Sequence, residues 1–375
     1  MNIINRSNCA ITNSNDLEFL YSFKNFPVFM GCITSEEKED ILFDMDWVIS
    51  KSSGAIQLQK LLPLDILYPE SHGAGCVGKL WMEHHQALAR FINTYKPTGV
   101  IEIGGAHGIL SKNYQTYEYI DWTIIEPNPT PVEGTKAKFI KGFFDDTFVF
   151  ENDYDTIVHS HVFEHIYEPD TFIKHLSTFM ENGKNLIFSI PNMQIMLERK
   201  YTNCINFEHT IFLTEPYIEF LLAKYGYKLD KKEYFMDDHS IFYGCIKDSF
   251  IKPIKLNENM YEKNKKLYMD YIEYHQKLVT ELNQRITKPV YLFGAHVFAQ
   301  YLLSFGLNSE KIICLLDNDL NKQNKRLYGT NLKVAFPEIL RNIEKPIVIL
   351  KAGVYNNEIR NDILNNINPN VEFWE

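Results

Sequence analysis

The chain is poor in several features that would have made its reading easy. Its six cysteines (Cys9, Cys32, Cys76, Cys204, Cys245, Cys314) are scattered over 375 residues, and no two form a CxxC pair. Their spacing therefore announces neither a thiolate metal centre nor a dithiol redox site. There is no basic run, and the formal net charge is −10, which excludes nucleic acid and anionic membrane surfaces as natural partners. No window holds the roughly 18 apolar residues needed to span a bilayer. The opening residues, MNIINRSN, lack the apolar core of a secretory leader. Reduced thiols and a cytoplasmic location follow as expectations. No repeat of solenoid period is present, and no GxGxxG fingerprint of dinucleotide binding.

What the chain has in excess is aromatic rings: 22 Tyr and 26 Phe. Most of these are expected to pack in cores, and some suit ring-stacking pockets. The length predicts two or three domains. Residues 1–75 read as a small irregular module of short apolar runs between polar turns. Residues 79–94 (KLWMEHHQALARFINT) pattern as an amphipathic helix. From Gly99, strands alternate with helices, two of which end at Gly183 and Gly226, the usual helix stop. Such alternation predicts a parallel sheet. The domain so defined covers 76–250. A long charged helix over 251–286 then connects it to a second, smaller Rossmann-like unit over 287–375. The expected class is α/β throughout, apart from the N-terminal module.

The sharpest local signal is Val100–Gly108, VIEIGGAHG. An apolar strand runs into a turn containing Gly104, Gly105 and Gly108, where a backbone without Cβ atoms lets a ligand approach closely. The helix start beyond it offers N–H donors. Glu102 precedes the first glycine by two positions. The pattern resembles motif I of class I methyltransferases, E/D-x-G-x-x-x-G. In that family the acid contacts the amino group of S-adenosylmethionine, so the resemblance implies that cofactor. About twenty residues on, Glu126 and Pro127 close the next strand, where an acid grips ribose hydroxyls in Rossmann-like folds. Phe143 and Phe144 follow at the position where the family meets the adenine, and each is equally expected in the core. The run Asp155–His165 with Pro169 resembles the family's fourth strand and loop, D-x-I-x-x-x-x-V-x-E-H-x-x-x-P. It implies His159 at the cofactor and His161 at the reacting centre, with His165 toward the acceptor. Strand alternation sends His159 and His161 to one face.

The whole chain resembles the three-part sugar C-methyltransferases of nucleotide-deoxysugar biosynthesis. Three stretches carry the likeness: Ser53–Leu58, Phe207-Glu208-His209 with Leu221, Leu222 and Gly226, and a C-terminal series. The series runs through Gly294, Asp317-Asn318-Asp319, Tyr328-Gly329, Pro337 and Asn357-Glu358-Ile359. The resemblance implies a nucleotide-sugar substrate, docked by the C-terminal unit through Gly294, Asn357 and Glu358. It implies His209 as the general base, Glu208 beside it, and Asn206 and His239 lining the pocket. There are two departures from the family. Its zinc-binding cysteines fall here on Cys9, Thr12, Ser50 and Ser53, and hydroxyls are poor zinc ligands, so no structural zinc is expected. Cys32 or Cys76 would have to rebuild part of such a site. The family's tyrosine three residues before the histidine is Asn206, and its tyrosine-rich segment is Glu70–Gly75. The spacing of His159 and His161 suggests a metal pair, but no third or fourth ligand stands nearby, and no metal is expected.

An altered acceptor pocket favours methylation of a sugar hydroxyl, which needs only a base and positioning. Methylation of carbon next to a keto group is the alternative. A nicotinamide-dependent oxidoreductase and a catalytically silent binding protein are the readings of other classes. The sequence is silent on the sugar and on oligomeric state.

Overall fold

The computed structural model describes residues 3–67 and 78–375. Glu70–Gly75 and Cys76 lie outside the described residues. The centre is a seven-stranded sheet. Its order is Tyr227–Phe235, Ser240–Lys247, Asn185–Pro191, Thr156–Ser160, Gly99–Ile103, Asp121–Glu126, Lys138–Lys141. Five strands are parallel, and Ser240–Lys247 runs antiparallel between Asn185–Pro191 and Tyr227–Phe235. The middle strands are buried on both faces, which is why they read as unbroken apolar runs in the sequence. Helix Lys79–Asn93 covers one face with Leu88 and Ile92, against Val100, Val158 and Phe242. Helices Pro169–Phe179 and Glu215–Lys224 cover the other, where Phe188 stacks on Tyr243 at 4.9 Å.

The C-terminal unit is a five-stranded parallel sheet ordered Val334–Ala335, Ile312–Leu316, Val290–Phe293, Ile347–Leu350, Glu372–Trp374. Helix Met260–Arg285 leads into it.

The N-terminal segment is more regular than its sequence suggests. Leu17–Pro27 and Leu42–Ser50 form a long antiparallel pair, joined by Ile56–Leu58. Two register shifts and a left-handed Asn25 (φ 50°) interrupt the two-residue alternation, so the strand pattern is hidden. Nor is the segment separate from the rest. Cys32–Ile33 pairs with Arg326–Leu327 of the C-terminal unit. Asp40 holds Arg326 at 2.6 and 2.7 Å and also accepts from the Gly329 amide. Ile56–Leu58 bonds to the Thr210–Phe212 segment of the central domain.

Of the positions matched to zinc-binding cysteines, the Cys9 thiol contacts the Ser53 hydroxyl at 3.3 Å. Ser50 donates to Asp16 at 2.8 Å, and Thr12 reaches Ser14 at 3.0 Å. Cys32 does not join them: its thiol donates to the Ala295 carbonyl at 3.4 Å, and burial pushes it up to about 12.

Candidate active site

The cofactor end of the site is built at the tips of two adjacent strands. Glu102 is buried on Gly99–Ile103 and accepts from the Trp122 indole at 2.7 Å. Gly104 (φ 70°) and Gly108 (φ 71°) turn the chain through left-handed conformations. Gly105 lies on the Glu102 carboxyl: a Cβ there would stand 2.7 Å from Glu102 Cδ and 2.8 Å from Ile124 Cγ2. Glu126, buried at the end of its strand, accepts from the amides of Ala106 at 3.1 Å and Asn128 at 3.0 Å. Pro127 follows it, half-buried. Burial raises Glu102 to about 7, opposed by the Trp122 bond and reinforced by Glu126. A buried acid beside a second acid, under a turn without side chains, suits a ligand that brings positive charge and hydroxyl donors. S-adenosylmethionine fits that donor set.

The expected aromatic contacts separate. Phe143 is 62 % exposed. Phe144 packs, half-buried, in a ring cluster with Phe148, His175 and Phe179. His159 lies deeper. It is fully buried, stacks on Phe188 at 4.8 Å, and is held down at about 3 by burial. His161 does not share its face. A left-handed backbone at His161 (φ 52°) breaks the strand alternation and swings the ring to the opposite side of the sheet. There it meets Trp81, His84 and His239. Such a conformation costs a non-glycine residue about 1–3 kcal/mol and persists only where its surroundings enforce it.

Those surroundings are polar. His161 Nδ1 pairs with Glu164 Oε1 at 3.0 Å, and its Nε2 meets the Ser240 hydroxyl at 2.9 Å. The same hydroxyl meets His239 Nδ1 at 2.6 Å. Glu164 is 2 % exposed. Burial alone would raise its carboxyl, but the rings of His161, His165 and His209 outweigh that and hold it down at about 2.

On the far side of Glu164, His165 and His209 meet edge to face at 4.7 Å, with Glu208 at 3.9 Å from His165 Nδ1. His209 Nδ1 lies 3.1 Å from the Cys204 carbonyl. A carbonyl can only accept, so Nδ1 carries a proton, and in the neutral ring Nε2 keeps its lone pair. The Asn206 amide oxygen accepts from the backbone N–H groups of Glu208 at 2.8 Å and His209 at 3.0 Å. It shapes the loop that presents both side chains, a role the sequence reading did not assign.

That loop is gripped from all three parts of the chain. Buried Arg6 donates to the carbonyls of Thr210 (3.2 Å) and Tyr167, close in sequence to His209 and His165. Tyr301 of the C-terminal unit donates to the Ile205 carbonyl. Cys204 donates to the Met193 carbonyl at 3.3 Å. Neither Arg6 nor Tyr301 carries a motif, so nothing in the sequence pointed to them. Of the expected substrate residues in the C-terminal unit, Gly294 is buried at a strand end, while Asn357 and Glu358 are exposed on helix Asn356–Asp362. Tyr355, just before that helix, hydrogen-bonds Trp81, whose ring lies against His84, His161 and His239.

Residues 80–232 match a family model described as a methyltransferase domain. The chain therefore carries a methyltransferase domain on a mostly parallel Rossmann-like sheet, and its cofactor is S-adenosylmethionine. The match covers less than half of the chain. Among solved structures, similar chains include the plantazolicin methyltransferase BpumL bound to S-adenosylhomocysteine (15 % identity, 45 % of this chain and 84 % of that one, TM-score 0.34). Another is the magnesium protoporphyrin IX methyltransferase of Synechocystis PCC 6803 with the same ligand (14 % identity, 48 % and 91 %, TM-score 0.36). A third is the mitomycin 7-O-methyltransferase MmcR (12 % identity, 45 % and 55 %, TM-score 0.37). At those scores the likenesses say nothing about substrate. No curated protein matches the sequence. Among the described residues, no helix is long and apolar enough to cross a membrane.

Proposed function

We propose that the chain methylates a hydroxyl of a sugar carried on a nucleotide diphosphate, with His209 as the general base. The observation that carries the base assignment is the His209–Cys204 hydrogen bond, which fixes the neutral tautomer with Nε2 free. S-adenosylmethionine supplies a methyl group already activated by its sulfonium. The chain has to position the acceptor and take its proton. Nε2 accepts that proton as the hydroxyl oxygen becomes nucleophilic, and the ring becomes an imidazolium. Glu208 and Glu164, both within the same cluster, favour that charge. The substrate class rests on the resemblance of the C-terminal series and on a second parallel-sheet unit tied to the site through Tyr301 and Tyr355. Ligands favour such inter-domain clefts.

The test is mass spectrometry of the purified protein with cofactor and a panel of keto and non-keto nucleotide sugars. A single methyl gained by a non-keto sugar is the expected result. A gain confined to 4-keto sugars would replace hydroxyl by carbon as the acceptor, and no gain on any member would overturn the substrate class. With an accepted substrate, His209→Ala should lower kcat by about 10²–10⁴ while cofactor affinity stays the same. Unchanged turnover would remove His209 as the base.

A further inference from the structure

His84, His161 and His239 come from three distant segments: the helix Lys79–Asn93, the turn after Thr156–Ser160, and the turn before Ser240–Lys247. One ring nitrogen of each lies within 4.8 Å of the others. His84 has no exposed surface, and among the described residues neither of its ring nitrogens has a hydrogen-bond partner. Two unsatisfied polar atoms in a core are costly, and they stand against His161 and His239, with ring centroids at 5.2 and 5.4 Å.

We propose that these three histidines bind a divalent transition ion of the zinc class. The inference is independent of the acceptor assigned above. Three neutral imidazoles suit Zn²⁺, Co²⁺ or Fe²⁺, whereas Mg²⁺ and Ca²⁺ require oxygen ligands. A tetrahedral site with metal–nitrogen bonds of about 2.05 Å places its nitrogens about 3.4 Å apart. Each pair therefore has to close by at most about 1.4 Å from the 4.8 Å limit, a change within reach of ring rotation.

The outer groups already suit an ion. Glu164 pairs with His161 Nδ1 at 3.0 Å, the carboxylate–histidine arrangement that aims the opposite nitrogen at a metal. That opposite nitrogen, Nε2, faces the Ser240 hydroxyl, which also meets His239. Ser240 thus stands between the two ring nitrogens, and its single proton can serve only one of them; an ion that accepts a lone pair from each displaces it. Trp81 lies against all three rings at 4.9–5.2 Å, and Phe235 and Phe242 flank His84. This aromatic wall keeps bulk water from the nitrogens. Three protein ligands leave a fourth position open, as in zinc sites that work on a bound oxygen.

The test uses the full chain, freed of metal with a chelator and titrated with Co²⁺. The expected result is one equivalent bound with the intense visible bands of tetrahedral nitrogen coordination, displaced by Zn²⁺. His239→Ala and His84→Gln should each weaken binding at least about a hundredfold, and Glu164→Gln about 10–100-fold. His209→Ala should retain the ion. A folded wild-type chain that shows no tetrahedral Co²⁺ spectrum overturns the proposal without recourse to any variant. So does binding that is lost in His209→Ala but kept in His239→Ala, which would move the ion to the other cluster.

Discussion

Replacing Glu164 with Gln keeps its size and removes its charge from between two histidine clusters. The carboxyl is 2 % exposed, so water does not screen it. Its ordinary value of 4.5 falls to about 2 in the fold, where burial is outweighed by His161, His165 and His209. That difference corresponds to about 3 kcal/mol. The direction follows from the depression: the contribution is complete above pH 4.5 and is lost as pH falls toward 2. Glu164→Gln should therefore be about 3 kcal/mol less stable at pH 5, where imidazoles ordinarily carry their charge, which for a domain of this size lowers Tm by about 6–12 °C. The difference should shrink as pH falls from 5 to 3, because the native chain loses what the variant never had. Thermal unfolding followed by tryptophan fluorescence at several pH values measures both. A gap under about 1 kcal/mol at pH 5, or one that persists unchanged to pH 3, would refute the assignment of Glu164 as an ionised carboxylate held by histidines.

Glu102 titrates in the opposite sense. Burial raises it to about 7, so its contribution to the unbound fold is present below pH 4.5 and lost as pH rises through 7. A cationic ligand needs the ionised form, and affinity for S-adenosylmethionine should rise about tenfold between pH 6 and 8. Calorimetry on Glu102→Gln should give a flat profile; the same slope in the variant would assign the titration elsewhere. Gly105→Ala forces a Cβ to within 2.7 Å of Glu102 and should weaken binding of S-adenosylhomocysteine at least about tenfold. Normal affinity in that variant would remove the turn from the cofactor site. Asp40→Asn breaks the buried pair with Arg326, whose side chains are 2 % and 7 % exposed, and should cost about 3–5 kcal/mol. Urea unfolding would show it, and a loss below about 1 kcal/mol would mean that the N-terminal segment is held mainly by its aromatic contacts.

The central domain was legible because its determinants are local. The helix pattern of 79–94 and the apolar runs at 99–103, 121–126 and 185–191 each need only a short window. So do the glycines at 104, 105 and 108, whose backbone angles at 104 and 108 are left-handed as a tight turn requires. What stayed hidden depends on distant partners. The strand Tyr227–Phe235 is largely exposed and charged, and only its pairing with Ser240–Lys247 makes it a strand. His161 and Ser240 are 79 residues apart. The two-residue alternation that puts His159 beside His161 fails because one backbone angle changes sign. His84 reads as one more residue on the buried face of an amphipathic helix. Its significance comes from what the far ends of two strands bring against it.

The same long-range logic explains what the N-terminal segment contributes. Cys9, Thr12, Ser50 and Ser53, the positions expected from the sequence to stand in for zinc-binding cysteines, lie in this segment. Asp16 accepts from the hydroxyls of Ser14 and Ser50 and from the Ser52 amide at 2.7–2.8 Å. Burial of Asp16 is more than offset by these bonds, which hold its carboxyl below the usual range. This network ties the turn before Leu17–Pro27 to the turn after Leu42–Ser50. Those strands in turn carry Ile56–Leu58, which fixes Thr210 and Phe212 through backbone bonds. Arg6 adds its guanidinium to the same carbonyl of Thr210. Burial lowers the pKa of Arg6 to about 10, opposed chiefly by the charge of Glu168. A buried guanidinium held by loop carbonyls is expensive to form, and it restricts where those carbonyls can lie. The loop it restricts ends at His209. With His209 as the proposed base, the described part of the N-terminal segment acts on the reaction by limiting the positions open to that ring.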